Sequence, residues 1–242
     1  MPANTNTTKT AQTGKLTQAG YPVRPRAEFY TPHWVTEECL LPHISPARHI
    51  LEPAVGDGGI KKVLEAYGHE VMGIDIHPDP SVDLQMSFLD FTNPDNIKFD
   101  IISNPPYFKP HNIDRKFILH ALELTKPHSG MVAMLLPVAY DCGDTRRDIF
   151  ETENTFKHQI VLTRRISWSN VPVAIDKKGK PVGAAKNHAW YIWQHGNNEQ
   201  SSKLYAPVNN AHHHPSLNSY AEDEAKRKAE AARIFLEMAV VS

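Results

Sequence analysis

Short apolar runs alternate with helical patterns along the chain from about residue 48. The runs at residues 99–103 and 130–136 have the length and apolar content of strands. In Ile113–Thr125 the apolar residues recur every three or four positions, as on one face of a helix. Strands that alternate with helices in this way predict an α/β fold with a doubly wound, mostly parallel sheet.

The same patterns give the predicted bounds of the elements. The strands are residues 49–52, 70–75, 83–88, 99–103, 130–136, 159–165 and 189–194. The helices are residues 60–67, 113–125, 144–152 and a terminal helix over 221–240. We expect a disordered polar tail over residues 1–27, a folded domain over 28–195, and a polar connector followed by the terminal helix over 196–242.

The composition is that of a folded protein: 40% of the 242 residues are hydrophobic, which is enough for a sizeable core. No apolar run approaches the roughly 18 residues of a membrane span, and the N-terminus lacks the apolar segment of a secretory signal. Cys39 and Cys142 lie far apart, so we interpret both as reduced core thiols of a cytoplasmic protein. No Cys or acidic residue surrounds the tract of His212, His213 and His214, so we expect no metal site.

The formal net charge of −1 is not the basic excess typical of nucleic-acid-binding proteins. Basic residues are nevertheless clustered at Arg146 and Arg147, at Arg164 and Arg165, and at Lys177, Lys178 and Lys180. Taken singly, such clusters are more often solvated surface than binding sites.

The strand predicted at residues 99–103 runs into a rigid turn made of Asn104, Pro105, Pro106 and Tyr107. Proline has no N–H group and a fixed φ, so the turn offers mainly acceptors: the Asn104 side-chain oxygen and the backbone carbonyls. Tyr107 adds a flat aromatic face. Such a turn suits a planar amine such as the exocyclic NH₂ of a nucleobase, although Asn and Pro are also ordinary turn residues.

A glycine-rich turn over residues 52–58 follows the first predicted strand, and such turns let the backbone approach a ligand closely. Asp75 ends the second strand about 20 residues further on, where nucleoside-binding folds hold the ribose hydroxyls. Asp90 follows the third strand and could accept from an adenine amine, with Phe91 or Ile76 covering the ring. These residues all follow strands, at the edge where open α/β sheets bind ligands.

The charge of the glycine-rich turn indicates which nucleoside ligand it suits. The Glu52 carboxylate would repel a pyrophosphate but attract a cationic amino-acid group. The predicted ligand is a nucleoside joined to an amino acid without phosphate, and S-adenosylmethionine is that molecule.

The chain resembles the class I S-adenosylmethionine-dependent amino-methyltransferases, and among them the N6-adenine DNA methyltransferases with an Asn-Pro-Pro-Tyr motif. Residues 29–32, 52–58 and 104–107 carry the resemblance, which covers roughly residues 28–194. It implies a Rossmann-like sheet with an antiparallel strand near its C-terminal part. It further implies that the cofactor is bound by Tyr30, Thr31, Glu52, Pro53, Gly56, Gly58, Asp75, Ile76, Asp90, Phe91 and Asn104.

The resemblance implies methylation of adenine N6 in nucleic acid, DNA more than RNA, with the catalytic residues Asn104, Pro105, Pro106 and Tyr107. The Asn104 oxygen and the Pro105 carbonyl would accept the two N–H groups of the target amine, and Tyr107 would stack on the base. Substrate would also be bound by Trp168, Arg165, Lys177, Lys178 and Lys180. Trp168 is equally compatible with a core position.

Two other functions remain open at this point. Methylation of a protein glutamine uses the same turn chemistry, but relatives of that kind usually carry an N-terminal helical substrate domain, for which residues 1–27 are too short. The second alternative is a cofactor-binding subunit without catalysis, against which the intact motif argues. The chain also has no segment large enough for the separate target-recognition domain common in the DNA enzymes.

Overall fold

A mixed β-sheet forms the centre of the protein in the computed structural model, which describes residues 29–45, 49–107, 112–151, 155–168, 174–175, 181–182, 186–207, 214–217, 226 and 229. Its strands are β1 (His49–Pro53), β2 (Glu70–Asp75), β3 (Leu84–Gln85), β4 (Asp100–Ser103), β5 (Met131–Pro137), β6 (Phe156–Val161), β9 (His188–Gln194) and β10 (Ser202–Tyr205). Their order is β10-β6-β9-β5-β4-β1-β2-β3. The short strands β7 (Ala174–Ile175) and β8 (Pro181–Val182) form a separate antiparallel pair.

Helices cover both faces of the sheet. They are α1 (His33–Glu37), α2 (Gly59–Ala66), α3 (Ile113–Thr125) and α4 (Arg147–Glu151). Single 3₁₀ turns lie at Leu41–His43, Phe88–Asp90, Lys126–His128, Tyr140–Cys142, Asp144–Arg146 and Pro215–Leu217. No helix among the described residues is long and apolar enough to cross a membrane.

Successive strand residues divide the core into two apolar clusters, because neighbouring side chains of a strand point to opposite faces. In β9, Trp190 and Ile192 pack with residues of α1 and α2, whereas Tyr191 and Trp193 pack with α3 and α4. The Trp190 indole donates to the Val35 carbonyl at 2.8 Å, and the Trp193 indole donates to the Ile149 carbonyl at 3.0 Å. Both indoles thus tie a helix to the sheet.

The predicted fold class is confirmed: seven of the eight strands run parallel, and β9 is antiparallel to both β5 and β6. Successive strands are added to the sheet on opposite sides of β1. β2 and β3 extend the sheet on one side, whereas β4 and β5 extend it on the other, so the order of the strands reverses between β1 and β4. Ligands bind in such sheets at this reversal, at the carboxyl ends of the strands.

Several predicted bounds were wrong. The strand expected at residues 83–88 is only Leu84–Gln85, and the one expected at 159–165 is Phe156–Val161. Residues 202–205 of the predicted connector form β10, parallel to β6. Cys142 is exposed, so only Cys39 is a core thiol. The tail over 1–27 and nearly all of the terminal helix lie outside the described residues.

Candidate active site

A cavity of about 510 Å³ opens at the carboxyl ends of β1, β2 and β4, a volume in the range of small-molecule cofactor sites. The loops that follow these strands supply its floor and walls. The N-terminal segment at Phe29–Thr31 and the first turns of α3 complete it, through Tyr30, Ile113 and Phe117 among others.

The glycine-rich turn bends through left-handed backbone conformations that glycine adopts without strain. Gly56 and Gly58 have φ of 54° and 76°. A Cβ at Gly58 would lie 2.4 Å from the Ser81 hydroxyl, so close packing also requires glycine there. At Gly56 an added Cβ would meet the Tyr30 ring at 3.4 Å, so backbone conformation is the stronger constraint. The turn places the backbone against the cavity and begins α2.

Glu52 lies in the cavity wall and is 1% exposed. Burial raises the pKa of its carboxyl group well above the ordinary value, and the negative charge of Asp57 adds to the rise. A hydrogen bond from the backbone N–H of Lys61 opposes this effect. Oε2 of Glu52 has no hydrogen-bond partner among the described residues. A buried carboxyl group in this setting is suited to a cation, because the cation offsets the cost of ionising it.

The cavity lining also combines a second carboxylate, Asp75, with a group of apolar side chains. Asp75 accepts from the Gly56 N–H at 3.0 Å and from the His77 N–H at 2.9 Å, which fixes its carboxylate beside the turn. Carboxylate oxygens retain lone pairs for further donors such as ribose hydroxyls. Apolar side chains of the same lining offer surfaces for a planar ring: Ile76, Met86, Phe88, Leu89 and Phe117.

Asn104 lies where the cavity meets the N-terminal segment. Its Nδ2 donates to the Phe29 carbonyl at 2.9 Å and to the Thr31 hydroxyl at 3.1 Å. Its Oδ1 lies 2.7 Å from the Tyr107 hydroxyl, whose single proton is shared between Oδ1 and the Leu135 carbonyl. Burial and the negative charge of Asp114 raise the pKa of Tyr107 well above its ordinary value, so the hydroxyl stays protonated.

Ten of the predicted site residues line this one cavity: Tyr30, Thr31, Glu52, Gly56, Asp75, Ile76, Asn104, Pro105, Pro106 and Tyr107. Pro53 and Gly58 lie next to the cavity without lining it. The carbonyl of Pro53 accepts from the Ser103 hydroxyl, joining β1 to β4, and Gly58 caps the N-terminus of α2.

Asp90 and Phe91 do not line the cavity. Asp90 is exposed at the end of a 3₁₀ turn. The ring of Phe91 packs 6.3 Å from that of Phe99, and its carbonyl is bonded by His120 at 3.0 Å. Ser87 and Leu89, earlier in the same loop, face the cavity instead.

Trp168 is placed in the core, contrary to the predicted base-stacking role. It is 5% exposed and packs 5.3 Å from the Phe29 ring and 5.2 Å from the His188 ring, so neither face is open to a base. Its contact with Phe29, which lines the cavity, makes it a support for the N-terminal segment.

The predicted nucleic-acid contacts are exposed or undescribed. Arg165 is exposed outside the cavity and donates to the Asn187 side chain at 3.1 Å. Its neighbour Arg164 is bound to Glu38 at 2.8 Å and lies over the Trp34 ring. Lys177, Lys178 and Lys180 lie outside the described residues.

Several lining residues were not predicted as site residues. They are Phe29, Ala54, Val55, Asp57, Gly59, Ile60, Ile74, His77, Met86, Ser87, Phe88, Leu89, Ile113 and Phe117. Phe29 belongs to the segment that carries the resemblance, and Phe117 to the predicted apolar face of α3. Those two signals were present in the sequence, whereas the loop residues after β3 carry no comparable pattern.

Comparison with known proteins identifies the fold. The methyltransferase subunit of a type I restriction-modification system from Streptococcus thermophilus superposes with a TM-score of 0.52 at 16% identity, covering 84% of this chain and 54% of that subunit. A protein of Pyrococcus horikoshii assigned as an RNA methyltransferase superposes with a TM-score of 0.49 at 17% identity, covering 77% of this chain and 94% of that one. No protein-family model and no curated protein sequence matches the chain. The chain therefore shares the fold of that restriction-modification methyltransferase subunit, and it spans about half of the subunit's length.

Proposed function

We propose that this protein transfers a methyl group from S-adenosylmethionine to the N6 amine of adenine in nucleic acid, with DNA favoured over RNA. The observation that carries the proposal is the single cavity that joins the Asn104 acceptor to Glu52 and Asp75. The Glu52 carboxyl group suits a cation and the Asp75 carboxylate suits a ribose, so both fit one cofactor. The Asn104 oxygen accepts from an amine, so it fits the target.

The chain's residues would bind the cofactor at two ends. Glu52 and Asp57 would take the amino-acid ammonium group, and Asp75 the ribose hydroxyls. The ring would lie among the apolar residues of the lining, which include Ile76 and Phe117. S-adenosylmethionine supplies an electrophilic methyl group when it is bound.

Asn104 and Pro105 would act on the target. An adenine amine is a weak nucleophile because its lone pair is delocalised into the ring. Two acceptors that bind its N–H groups favour rehybridisation and direct the lone pair at the methyl group. The bond between the methyl carbon and the sulfonium sulfur would break as the carbon–nitrogen bond forms, and one amine proton would pass to solvent. The ring of Tyr107 would cover the base, and a duplex base would first leave the stack at a cost of about a few kcal/mol.

The test is incubation with methyl-labelled S-adenosylmethionine and separate pools of DNA, RNA and protein, followed by nucleoside analysis. We expect label in N6-methyladenosine or its deoxy form. Asn104→Ala should reduce the single-turnover rate by ~100-fold or more while cofactor affinity, measured by calorimetry, changes little. Gly56→Trp should obstruct the cavity and abolish cofactor binding. The positive φ of Gly56 makes this variant less stable than wild type, so circular dichroism checks that the fold is largely retained.

The outcomes separate the three functions. Label in glutamine of the protein pool would show that the methylated group is a side-chain carboxamide and not adenine. Cofactor binding without transfer to any pool would make the chain a non-catalytic subunit. Near wild-type turnover of Asn104→Ala would remove that residue from the mechanism.

Nucleic-acid binding is tested separately through salt. Contacts with duplex phosphates should give a log–log dependence of affinity on salt with a slope near −0.9 for each phosphate neutralised. Joint replacement of Lys177, Lys178 and Lys180 by Ala should weaken binding about equally for all sequences. A salt-independent affinity would contradict the proposed phosphate contacts.

A further inference from the structure

The carboxamide of Asn104 is held in one orientation by residues far away in the chain. Its NH₂ group lies 2.9 Å from the Phe29 carbonyl and 3.1 Å from the Thr31 hydroxyl, across sequence separations of 75 and 73 residues. A backbone carbonyl can only accept a hydrogen bond, so the end of the carboxamide that faces Phe29 must be the NH₂ end. Oδ1 therefore points the other way, towards the Tyr107 hydroxyl.

This orientation decides whether Asn104 can bind an amine. A carboxamide turned by 180° about its terminal torsion, which is intrinsically permissive, would present donors to the target instead of an acceptor. Each of the two NH₂ hydrogens has its own acceptor, so a turn would break both bonds. Thr31 is 4% exposed, and a lost hydroxyl there would not be readily replaced by bulk water.

We propose that Thr31 is a positioning residue for Asn104: its hydroxyl, together with the Phe29 carbonyl, keeps Oδ1 directed at the target amine. The inference rests on the proposed function of Asn104. It differs from the cofactor-binding role predicted for Thr31, because the effect reaches the reaction through the carboxamide. Loss of one such hydrogen bond should slow methyl transfer about 3- to 10-fold.

Three variants of the full chain test the proposal. Thr31→Val removes the hydroxyl at nearly constant volume, and Thr31→Ser retains it. The matched control is Thr36→Val, since Thr36 is a fully buried threonine of α1 whose hydroxyl has no hydrogen-bond partner among the described residues. It does not line the cavity.

Two measurements are made on each variant. Single-turnover rates at saturating cofactor are compared with cofactor affinities from calorimetry. The side-chain NH₂ signal of Asn104, assigned in ¹H–¹⁵N spectra by its loss in Asn104→Ala, reports hydrogen exchange with solvent. We expect Thr31→Val to lower the rate about 3- to 10-fold, to change cofactor affinity less than about twofold and to speed exchange of the Asn104 NH₂ group. Thr31→Ser should restore both properties, and Thr36→Val should alter neither.

An unchanged rate or unchanged Asn104 exchange in Thr31→Val would overturn the proposal. A defect confined to cofactor affinity would also overturn it, and would assign the hydroxyl to the cofactor. If the wild-type chain transfers no methyl group to any acceptor, the proposed function fails and the positioning role fails with it. Exchange data that still depend on Thr31 would then show that the hydrogen bond itself exists.

Discussion

Cofactor binding should be coupled to ionisation of Glu52. Burial raises the pKa of this carboxyl group, so it binds a proton at pH values where an exposed glutamate is ionised. A cationic amino-acid group beside it favours the carboxylate and lowers its pKa in the complex. Binding therefore releases a proton, and affinity should rise with pH between the pKa of the complex and that of the free site.

The size of the effect follows from the number of protons. One carboxyl group gives at most one proton, so Kd should fall by up to about tenfold per pH unit, or ~1.4 kcal/mol, and then level off. Asp57, Lys61 and Glu65 also act on the pKa of Glu52. Their charges move the midpoint of the dependence, whereas the maximum slope is set by Glu52 itself.

Calorimetry with S-adenosylmethionine between about pH 5 and pH 7, below the range where an α-amino group titrates, measures this dependence. Repeating it in two buffers of different ionisation enthalpy counts the released protons. Glu52→Gln should abolish the slope and weaken binding at neutral pH. Glu65→Gln is the matched control and should keep the slope, because Glu65 is exposed and does not line the cavity. Equal slopes for Glu52→Gln and wild type would refute the reasoning.

The same group should affect stability in the opposite direction. With a folded-state pKa above the unfolded value of about 4.3, Glu52 contributes its full stability below that value and loses it as pH rises through the folded pKa. Glu52→Gln, which cannot ionise, should therefore raise Tm at neutral pH while it weakens cofactor binding. A lower Tm for this variant at neutral pH would show that the buried Glu52 carboxyl group does not reduce the stability of the folded protein.

Three further outcomes are expected. Asn104→Asp should slow methyl transfer, because a carboxylate oxygen would face the Phe29 carbonyl, which cannot donate to it, and an unpaired polar group costs about 1–3 kcal/mol. A single-turnover rate equal to that of wild type would contradict the role of the Phe29 carbonyl. Tyr107→Phe keeps the ring and should remain within about tenfold of the wild-type rate, whereas Tyr107→Ala should lose stacking worth about 1–3 kcal/mol and bind substrate more weakly. Equal substrate affinities of Tyr107→Ala and wild type would argue against stacking. Burial, with a contribution from Lys186, lowers the pKa of His188 to about 4. The free energy of unfolding, measured with urea, should therefore fall by ~3 kcal/mol as pH drops from about 6.5 to 4, and His188→Gln should flatten this dependence.

The centre of the sheet could be predicted from sequence because β1, β4 and β5 are buried on both faces and form continuous apolar runs. The bounds of β1, β2, β4 and β5 agree with the predicted runs to within one residue. The strand predicted at residues 159–165 starts three residues too late, because the first three residues of β6 are only half-buried and interrupt the apolar pattern with polar side chains. β10 alternates half-buried and exposed residues and therefore shows no apolar run.

The two motifs of the site were found because each is local. The glycine-rich turn and the Asn104 turn each carry their chemistry in a few consecutive residues. The bonds that orient Asn104 could not be found, because Phe29 and Thr31 are distant in sequence and hydrogen bonds of this kind leave no periodic pattern. Trp168 illustrates the same limit, since only the packing of Phe29 and His188 against it distinguishes a core residue from a binding residue.

β10 has a consequence for the solubility of shortened forms of the protein. A strand at the border of a sheet carries unpaired N–H and C=O groups and can recruit another chain, a risk that is reduced by short length, lysine and proline. β10 is four residues long, carries the exposed Lys203 and is followed closely by Pro207. A chain cut after Gln194 would leave the border of β6 open beside the buried Ile160 and Leu162, and such a fragment should associate through that strand.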